Sequence, residues 1–189
     1  PYGQLVKNSE LQKILNEIEK FSNFSSRFRE IQTFNEHQIK NGKSLRKGIA
    51  MMPAKFGISF NKPSLNQAGA LVNVYMDGSI RLNHGGTEMG QGLFIKVAQV
   101  VAECFGVTLD KVFLSPTNTS EIPNTSATAA SSGSDLNGMA AWNASKVIKN
   151  RMEDLVIKLF NFKRNNILFR DNLVFYGNKS ISFKELCFK

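Results

Sequence analysis

Between residues 80 and 105 an alternating run, a glycine-rich loop and an apolar helix follow one another without interruption. Ile80 and Leu82 alternate with polar neighbours, as a half-buried strand requires. Asn83-His84-Gly85-Gly86-Thr87-Glu88-Met89-Gly90-Gln91-Gly92 then has too many glycines to continue either regular structure. Leu93, Val97, Val100, Val101 and Cys104 recur at helical spacing, and Gly106 stands where a helix-terminating glycine belongs.

The flanking sequence builds outward from that unit. Ala70, Val72, Val74 and Met76 alternate up to Asp77-Gly78, which predicts a hairpin over 69–83 with a type I′ turn. Val112 and Leu114 predict a short strand. A polar loop from Thr117 to Gly133 leads into a long helix starting near Asp135, with Leu136, Ala140, Ala144, Val147, Leu155 and Leu159 on its buried side. Residues 165–180 read as a short hairpin, and Ser182-Phe183-Lys184-Glu185 as a capping box opening a last helix. At the other end, Ser9-Glu10-Leu11-Gln12 reads as a capping box before a helix with Leu11, Ile14, Leu15, Ile18 and Phe21 on one face. A second helix carries Phe24, Phe28, Ile31 and Phe34, Asn41-Gly42-Lys43-Ser44 reads as a connector, and 47–60 read as extended, broken by Pro53 and Gly57. The fold class is therefore α+β, with mixed sheets packed with helices, and no internal repeat occurs. Residues 1–46 form a helical connecting segment and 47–189 the main domain.

Charge narrows the function. Lys and Arg number 24 and Asp and Glu 15, a formal net charge of +9. Residues 1–50 carry a net +4, residues 51–140 a net −1 and residues 141–189 a net +6. The basic residues lie on flanking helices mixed with Glu, the pattern of solvated faces rather than of a nucleic-acid surface. No apolar run reaches the roughly 18 residues of a membrane span, and no signal peptide opens the sequence. Two cysteines, Cys104 and Cys187, are too few to hold an iron–sulfur cluster or a disulfide scaffold, so a reducing cytoplasmic setting is expected. Cys104 lies on the apolar stripe and reads as a buried structural thiol. The sequence opens on Pro1 without an initiator Met and is expected to be a piece of a longer chain.

The near-neutral block holds ten of the 14 glycines and two loops suited to a phosphate-bearing ligand. A helix N-terminus exposes unpaired N–H groups with partial positive charge, and glycines allow close backbone approach, so the loop before Leu93 predicts an anion site. It is neither a P-loop nor a dinucleotide fingerprint: Gln91-Gly92 follows Gly90 instead of Lys-Ser/Thr, and Ile95 stands where the fingerprint needs glycine. A tight structural connection would also explain it. The second loop, Asn124 to Ser134, has no charge and no bulky side chain, and it leads directly into a helix. It reads either as a ligand cradle of hydroxyls and N–H groups or as a flexible linker.

Four stretches resemble one family. Lys55-Phe56-Gly57-Ile58-Ser59-Phe60, Leu65-Asn66-Gln67-Ala68-Gly69-Ala70, His84 through Gly92, and Pro123-Asn124-Thr125-Ser126-Ala127-Thr128-Ala129-Ala130-Ser131 are similar to segments of the molybdenum hydroxylases. The likeness is nearest to the molybdopterin-binding subunits of bacterial xanthine dehydrogenases. It is strongest over 47–145 and continues, more weakly, from Pro1-Tyr2-Gly3-Gln4 to the end. The resemblance implies the central fragment of the molybdopterin-binding domain, in an enzyme that hydroxylates purines or aldehydes with oxygen from water. It implies molybdenum on a pyranopterin, with or without an added nucleotide, and Fe-S and FAD centres on other domains or subunits of a cytoplasmic oligomer.

By the family pattern, Gln91 in the Gly90-Gln91-Gly92 turn contacts the pterin, and the backbone at Ala129 and Ala130 lies beside the molybdenum. Ser131 helps hold the phosphate region, and Phe60 packs on the substrate ring. Asn61 replaces the threonine usual beside the substrate, which leaves purine and aldehyde substrates both open. Phe94 and Ile95 replace a more polar pair. The family's catalytic glutamate lies beyond the equivalent of position 189, so Glu88 reads as a structural hydrogen-bonding residue and 1–189 alone as inactive. His84 reads as a turn residue, and His37 as lying on a polar helix face. Two other readings stay open: a non-catalytic module binding a phosphate ligand, and a decayed gene product.

Overall fold

The computed structural model describes residues 5, 7, 9–54, 56–118, 120–121 and 125–189. Pro1–Gln4, Lys55, Pro123 and Asn124, which the sequence motifs include, lie outside the described residues. Two compact units form, Pro1–Phe56 and Gly57–Lys189. No helix among the described residues is long and apolar enough to cross a membrane.

In the first unit, helix α1 (Leu11–Ser22) and helix α2 (Phe24–Lys40) are separated by Asn23 in the left-handed conformation, φ 50°. The capping box expected at Ser9 does not form: Glu10 is the N-cap, and no side chain bonds to the first turn. The apolar stripe of α1 exists, but Leu11, Ile14, Ile18 and Phe21 are exposed. The segment after α2 folds back on it. The Asn35 side chain bonds both to the N–H and to the carbonyl of Lys47, each at 2.9 Å, and the Lys47 ammonium lies 4.3 Å from the centre of the Phe34 ring.

The second unit starts from the hairpin of β1 (Ala70–Val74) and β2 (Ile80–His84), which pair antiparallel with Val72 opposite Leu82. The turn is not type I′. Only Gly78 is left-handed (φ 83°), because the Asp77 carboxylate bends back to accept from the Ser79 N–H and hydroxyl. Tyr75 N–H donates to Ser79 O and Gly78 N–H to Tyr75 O, a longer loop with a glycine bulge.

Strand β2 continues through the glycine loop into α3 (Leu93–Phe105), which returns to β3 (Val112–Leu114), parallel to β2. The sheet order is β1-β2-β3. Ile80, Leu82, Leu93, Val97, Val101 and Phe105 are fully buried. Burial of each such side chain stabilises the fold by about 1.5–3 kcal/mol.

Helix α4 (Gly133–Phe160) packs against α3, β1 and β2. Its buried face differs from the expected stripe by one position: Asn137, Gly138, Ala141, Ser145, Met152 and Val156 are buried, whereas Val147 and Leu159 are exposed. Small residues at 138, 141 and 145 let α4 approach α3 closely, so the contact face is the small face rather than the leucine face. Beyond α4, residues 167–182 form a three-stranded antiparallel meander instead of one hairpin: β4 (Ile167–Arg170), β5 (Leu173–Tyr176) and β6 (Lys179–Ser182). Helix α5 (Phe183–Phe188) follows with the Ser182–Glu185 capping box in place. Two sheets, one mixed and one antiparallel, packed with helices make the α+β architecture expected.

The meander docks on the C-terminal end of α3. Asn172 N–H donates to Gly106 O at 2.9 Å, and the Asn172 carboxamide oxygen accepts from Thr108 N–H at 2.9 Å. Lys149 of α4 donates to Cys104 O at 2.8 Å with its ammonium 4.7 Å from the centre of the Phe169 ring, placing positive charge at the negative end of α3. Burial pushes the Lys149 pKa down and the Cys104 thiol up. Gly106 has φ 63°, and a Cβ there would stand 2.3 Å from the backbone of Phe169. Gly106→Ala is therefore expected to destabilise the protein by about 3 kcal/mol or more, from left-handed strain plus displacement of the meander. Urea unfolding checks this; a loss below about 1 kcal/mol would show that the docking is looser than described.

Candidate functional site

The first loop is ordered by its own side chains. His84 ends β2 buried, with Nδ1 accepting from Gly86 N–H at 3.1 Å and its ring edge-on to Phe94, centroids 5.3 Å apart. Burial lowers its pKa, so the ring is neutral at pH 7. It serves the turn, and no group of three or more His, Cys, Asp or Glu suited to a metal occurs among the described residues. Gly86 permits the close passage: a Cβ would stand 2.5 Å from Leu93 and 2.8 Å from the Asn137 amide.

Glu88 organises the rest of the loop. One carboxylate oxygen accepts from Gly90 N–H and Gly92 N–H, both at 2.9 Å, and the other from Phe94 N–H at 3.0 Å. These bonds hold its pKa below the usual carboxylate range, the bond from Phe94 N–H contributing most. The expected anion site at the head of α3 is thereby corrected: the protein's own carboxylate takes those amides. Gln91 folds across the same loop, donating to Thr87 O at 2.9 Å and accepting from Met89 N–H at 2.6 Å.

The second loop is no flexible linker. Ser126 N–H donates to Gln67 O at 3.0 Å, and the Ser126 hydroxyl accepts from Gln67 N–H at 3.1 Å and donates to Leu65 O. Ala130 O accepts from Ser59 N–H at 2.8 Å. The Ser132 hydroxyl donates to Ala129 O at 3.1 Å, and the buried Asn137 amide to Gly133 O at 2.9 Å. These bonds hold Ala130 (φ 52°) and Ser131 (φ 53°) in consecutive left-handed conformations, each costing about 1–2 kcal/mol.

The two loops meet where Thr87 N–H donates to the Thr128 hydroxyl oxygen at 2.8 Å. Beside that contact lies a cavity of about 330 Å³. Met89, Gln91, Leu93 and Lys96 line it from one side, and Thr128, Ala129, Ser131, Gly133 and Ser134 from the other. Of the sequence-derived candidates, Gln91, Ala129 and Ser131 are thus brought together, with Gly90 and Ala130 next to them in the chain. Phe60 and Asn61 do not line the cavity. Phe60 is half-buried and tied by its backbone to the Asn66 carboxamide at 2.8 and 2.9 Å, while Asn61 is exposed. The Ser59–Ala130 bond links their segment to the second loop.

Lys96 is the lining residue that sequence reasoning missed, whereas Thr128 and Ser134 belong to the loop that the sequence offered as a cradle of hydroxyls. Lys96 stands one helical turn beyond Gly92, and Thr128 and Ser134 lie inside a run in which every residue is small and polar or small and apolar. The available signal was the helical spacing from the loop to the lysine.

The sequence profile of the molybdopterin cofactor-binding domain matches residues 17–189. Xanthine dehydrogenase of Dictyostelium discoideum is 41% identical over 186 residues, which are 98% of this chain and 12% of that enzyme. Xanthine dehydrogenase/oxidase of Gallus gallus is 45% identical over 162 residues, 86% of this chain and 12% of that one. The chain thus spans about 12% of the length of these relatives. Quinoline 2-oxidoreductase from Pseudomonas putida 86 superposes with a TM-score of 0.75 at 16% identity, over 98% of this chain and 24% of that one, a likeness of fold.

Glu88→Gln is expected to lower the thermal midpoint by a few degrees at pH 7. A carboxamide accepts with one oxygen where the carboxylate accepts three N–H groups with two. Because the folded pKa is depressed, the carboxylate's contribution is complete above about pH 4.5 and fades as pH falls through the lower folded value. The wild-type advantage should therefore shrink below pH 4.5. Midpoints measured from pH 3 to 7 check this, and a pH-independent difference contradicts it.

Proposed function

The chain belongs to the molybdopterin cofactor-binding domain family, and from that membership we propose that it forms part of the catalytic region of a xanthine dehydrogenase-type molybdenum hydroxylase. The observation that carries this reading is the single cavity on which the Gln91 turn and the Ala129–Ser131 turn converge.

The lining fits such a group. It offers a carboxamide, three hydroxyls and one ammonium, with no acid among the described lining residues to repel a phosphate. It offers no thiolate or imidazole, and none is required where the pterin brings its own sulfur ligands to the metal. Its volume suits an organic cofactor of modest size.

In this reading Gly90 and Gln91 hold the pterin from one side. Ala129 and Ser131 hold it from the other, with the Ala130 backbone beside the molybdenum. The Gln91 carboxamide would be the group on this turn that holds the pterin. The bound group would supply oxygen transfer from water to an electron-poor carbon of the substrate. Phe60 would offer an aromatic face to a flat ring, which favours purines such as hypoxanthine and xanthine. Electrons would leave through Fe-S and FAD centres on other domains or subunits of a cytoplasmic oligomer. Asn61 in place of threonine is the one observation that keeps an aldehyde substrate as a second reading.

The full-length protein should contain close to one molybdenum and one pterin per subunit and turn over xanthine faster than small aldehydes. Metal analysis, pterin fluorescence after acid release and steady-state rates test this. Active protein without molybdenum overturns the cofactor assignment, and an aldehyde preference overturns the substrate assignment.

A further inference from the structure

We propose that Lys96 is the electrostatic anchor of the cofactor's phosphate, a role that rests on the cofactor reading above. Among the described residues lining the cavity, Lys96 is the one with formal charge. No carboxylate among the described residues pairs with it within ion-pair distance. Its place is fixed by the first backbone hydrogen bond of α3, Lys96 N–H to Gly92 O at 3.2 Å. The side chain therefore starts one turn into a rigid helix instead of on the loop.

The need for a cation follows from Glu88. Its carboxylate occupies the N–H groups of Gly90, Gly92 and Phe94, so the head of α3 has fewer amides left for an anion and carries a compensating negative charge. A phosphate entering there meets a helix end that is already neutralised. Across the cavity, Ser131 and Ser134 supply hydroxyl donors, and Thr128 keeps its own O–H free because its oxygen accepts from Thr87 N–H. Hydroxyls orient a phosphate but do not balance its charge. Lys96 supplies that balance, with a three-donor ammonium on a flexible stem. Because the lysine is solvent-exposed, its contribution is strong at low ionic strength and screened by salt.

The test uses full-length protein produced in a host that loads a co-expressed xanthine dehydrogenase with cofactor. Wild type, Lys96→Met, Lys96→Arg and the control Lys43→Met are gel-filtered in low and high salt, and molybdenum and pterin per subunit are measured afterwards. Lys96→Met is expected to dissociate cofactor about tenfold faster in low salt. Lys96→Arg should recover most of the loss, Lys43→Met should match wild type, and the differences should narrow in high salt. Thermal midpoints of cofactor-free Lys96→Met and wild type should agree, which separates loss of the anchor from loss of the fold. Wild type and Lys96→Met retaining cofactor equally overturns the lysine assignment alone. Wild type without molybdenum and pterin, beside a loaded control enzyme, overturns both the assignment and the cofactor reading beneath it.

Discussion

Three backbone N–H groups at the head of α3 converge on the Glu88 carboxylate, and the local architecture follows from that contact. Left free, those amides would carry the positive end of a thirteen-residue helix into the cavity. With the carboxylate in place the loop closes into a compact turn, in which Gly90 (φ 95°) and Gly92 (φ 74°) supply the conformations that other residues adopt at a cost. The turn then presents its rim, Met89 and Gln91, instead of its amides. One intramolecular ion–dipole contact thus shapes the loop and removes the simplest anion site from it.

The pairing of the two loops is set lower in the structure. Helix α4 approaches α3 through Gly138, Ala141 and Ser145, and this brings the start of α4 beneath the first loop. Asn137 lies there, donating to Gly133 O and leaving no room for a side chain at Gly86. The Thr87–Thr128 bond closes the gap above it. At its other end α4 meets the meander, where Phe160 stacks on Tyr176 at 4.3 Å. The long helix therefore ties the floor of the cavity to the docking of the C-terminal sheet.

What the sequence disclosed follows the range of the forces involved. Periodicity located both strands of the hairpin, α3 and the span of α4, because those patterns record which side of an element is apolar. The glycines at 86, 90, 92 and 106 were legible as backbone requirements. The buried face of α4 was misjudged because close helix packing selects small residues, so Ser145 is fully buried while Val147 is exposed. The turn at Asp77-Gly78 was misjudged because a side-chain bond from Ser79 to Asp77 competes with the primed geometry. The free anion site at α3 was misjudged for the same kind of reason. A carboxylate two to six residues ahead of an amide can claim it, and the spacing of Glu88 to Gly90 and Phe94 signals this only once the loop is closed. Phe60 and Asn61 illustrate the remaining limit. Their position relative to the cavity depends on long-range bonds, Ser59 to Ala130 and Ser126 to Leu65 and Gln67, which local pattern does not encode.

A cradle of this kind solves a specific electrostatic problem. A phosphate held only by helix amides would be gripped strongly but from one direction, with the positive potential also drawing unrelated anions. Dividing the work differs in both respects. In the proposed cradle, uncharged hydroxyls and a carboxamide from two loops would fix shape and orientation, and the Lys96 ammonium would supply charge from solvent-exposed ground where simple anions gain little. Discrimination then rests on filling the cavity and satisfying both loops together, which a small anion does not do. The strained pair Ala130–Ser131 belongs to the same design, since rigid placement of one wall lowers the ordering cost when a ligand bridges to the other.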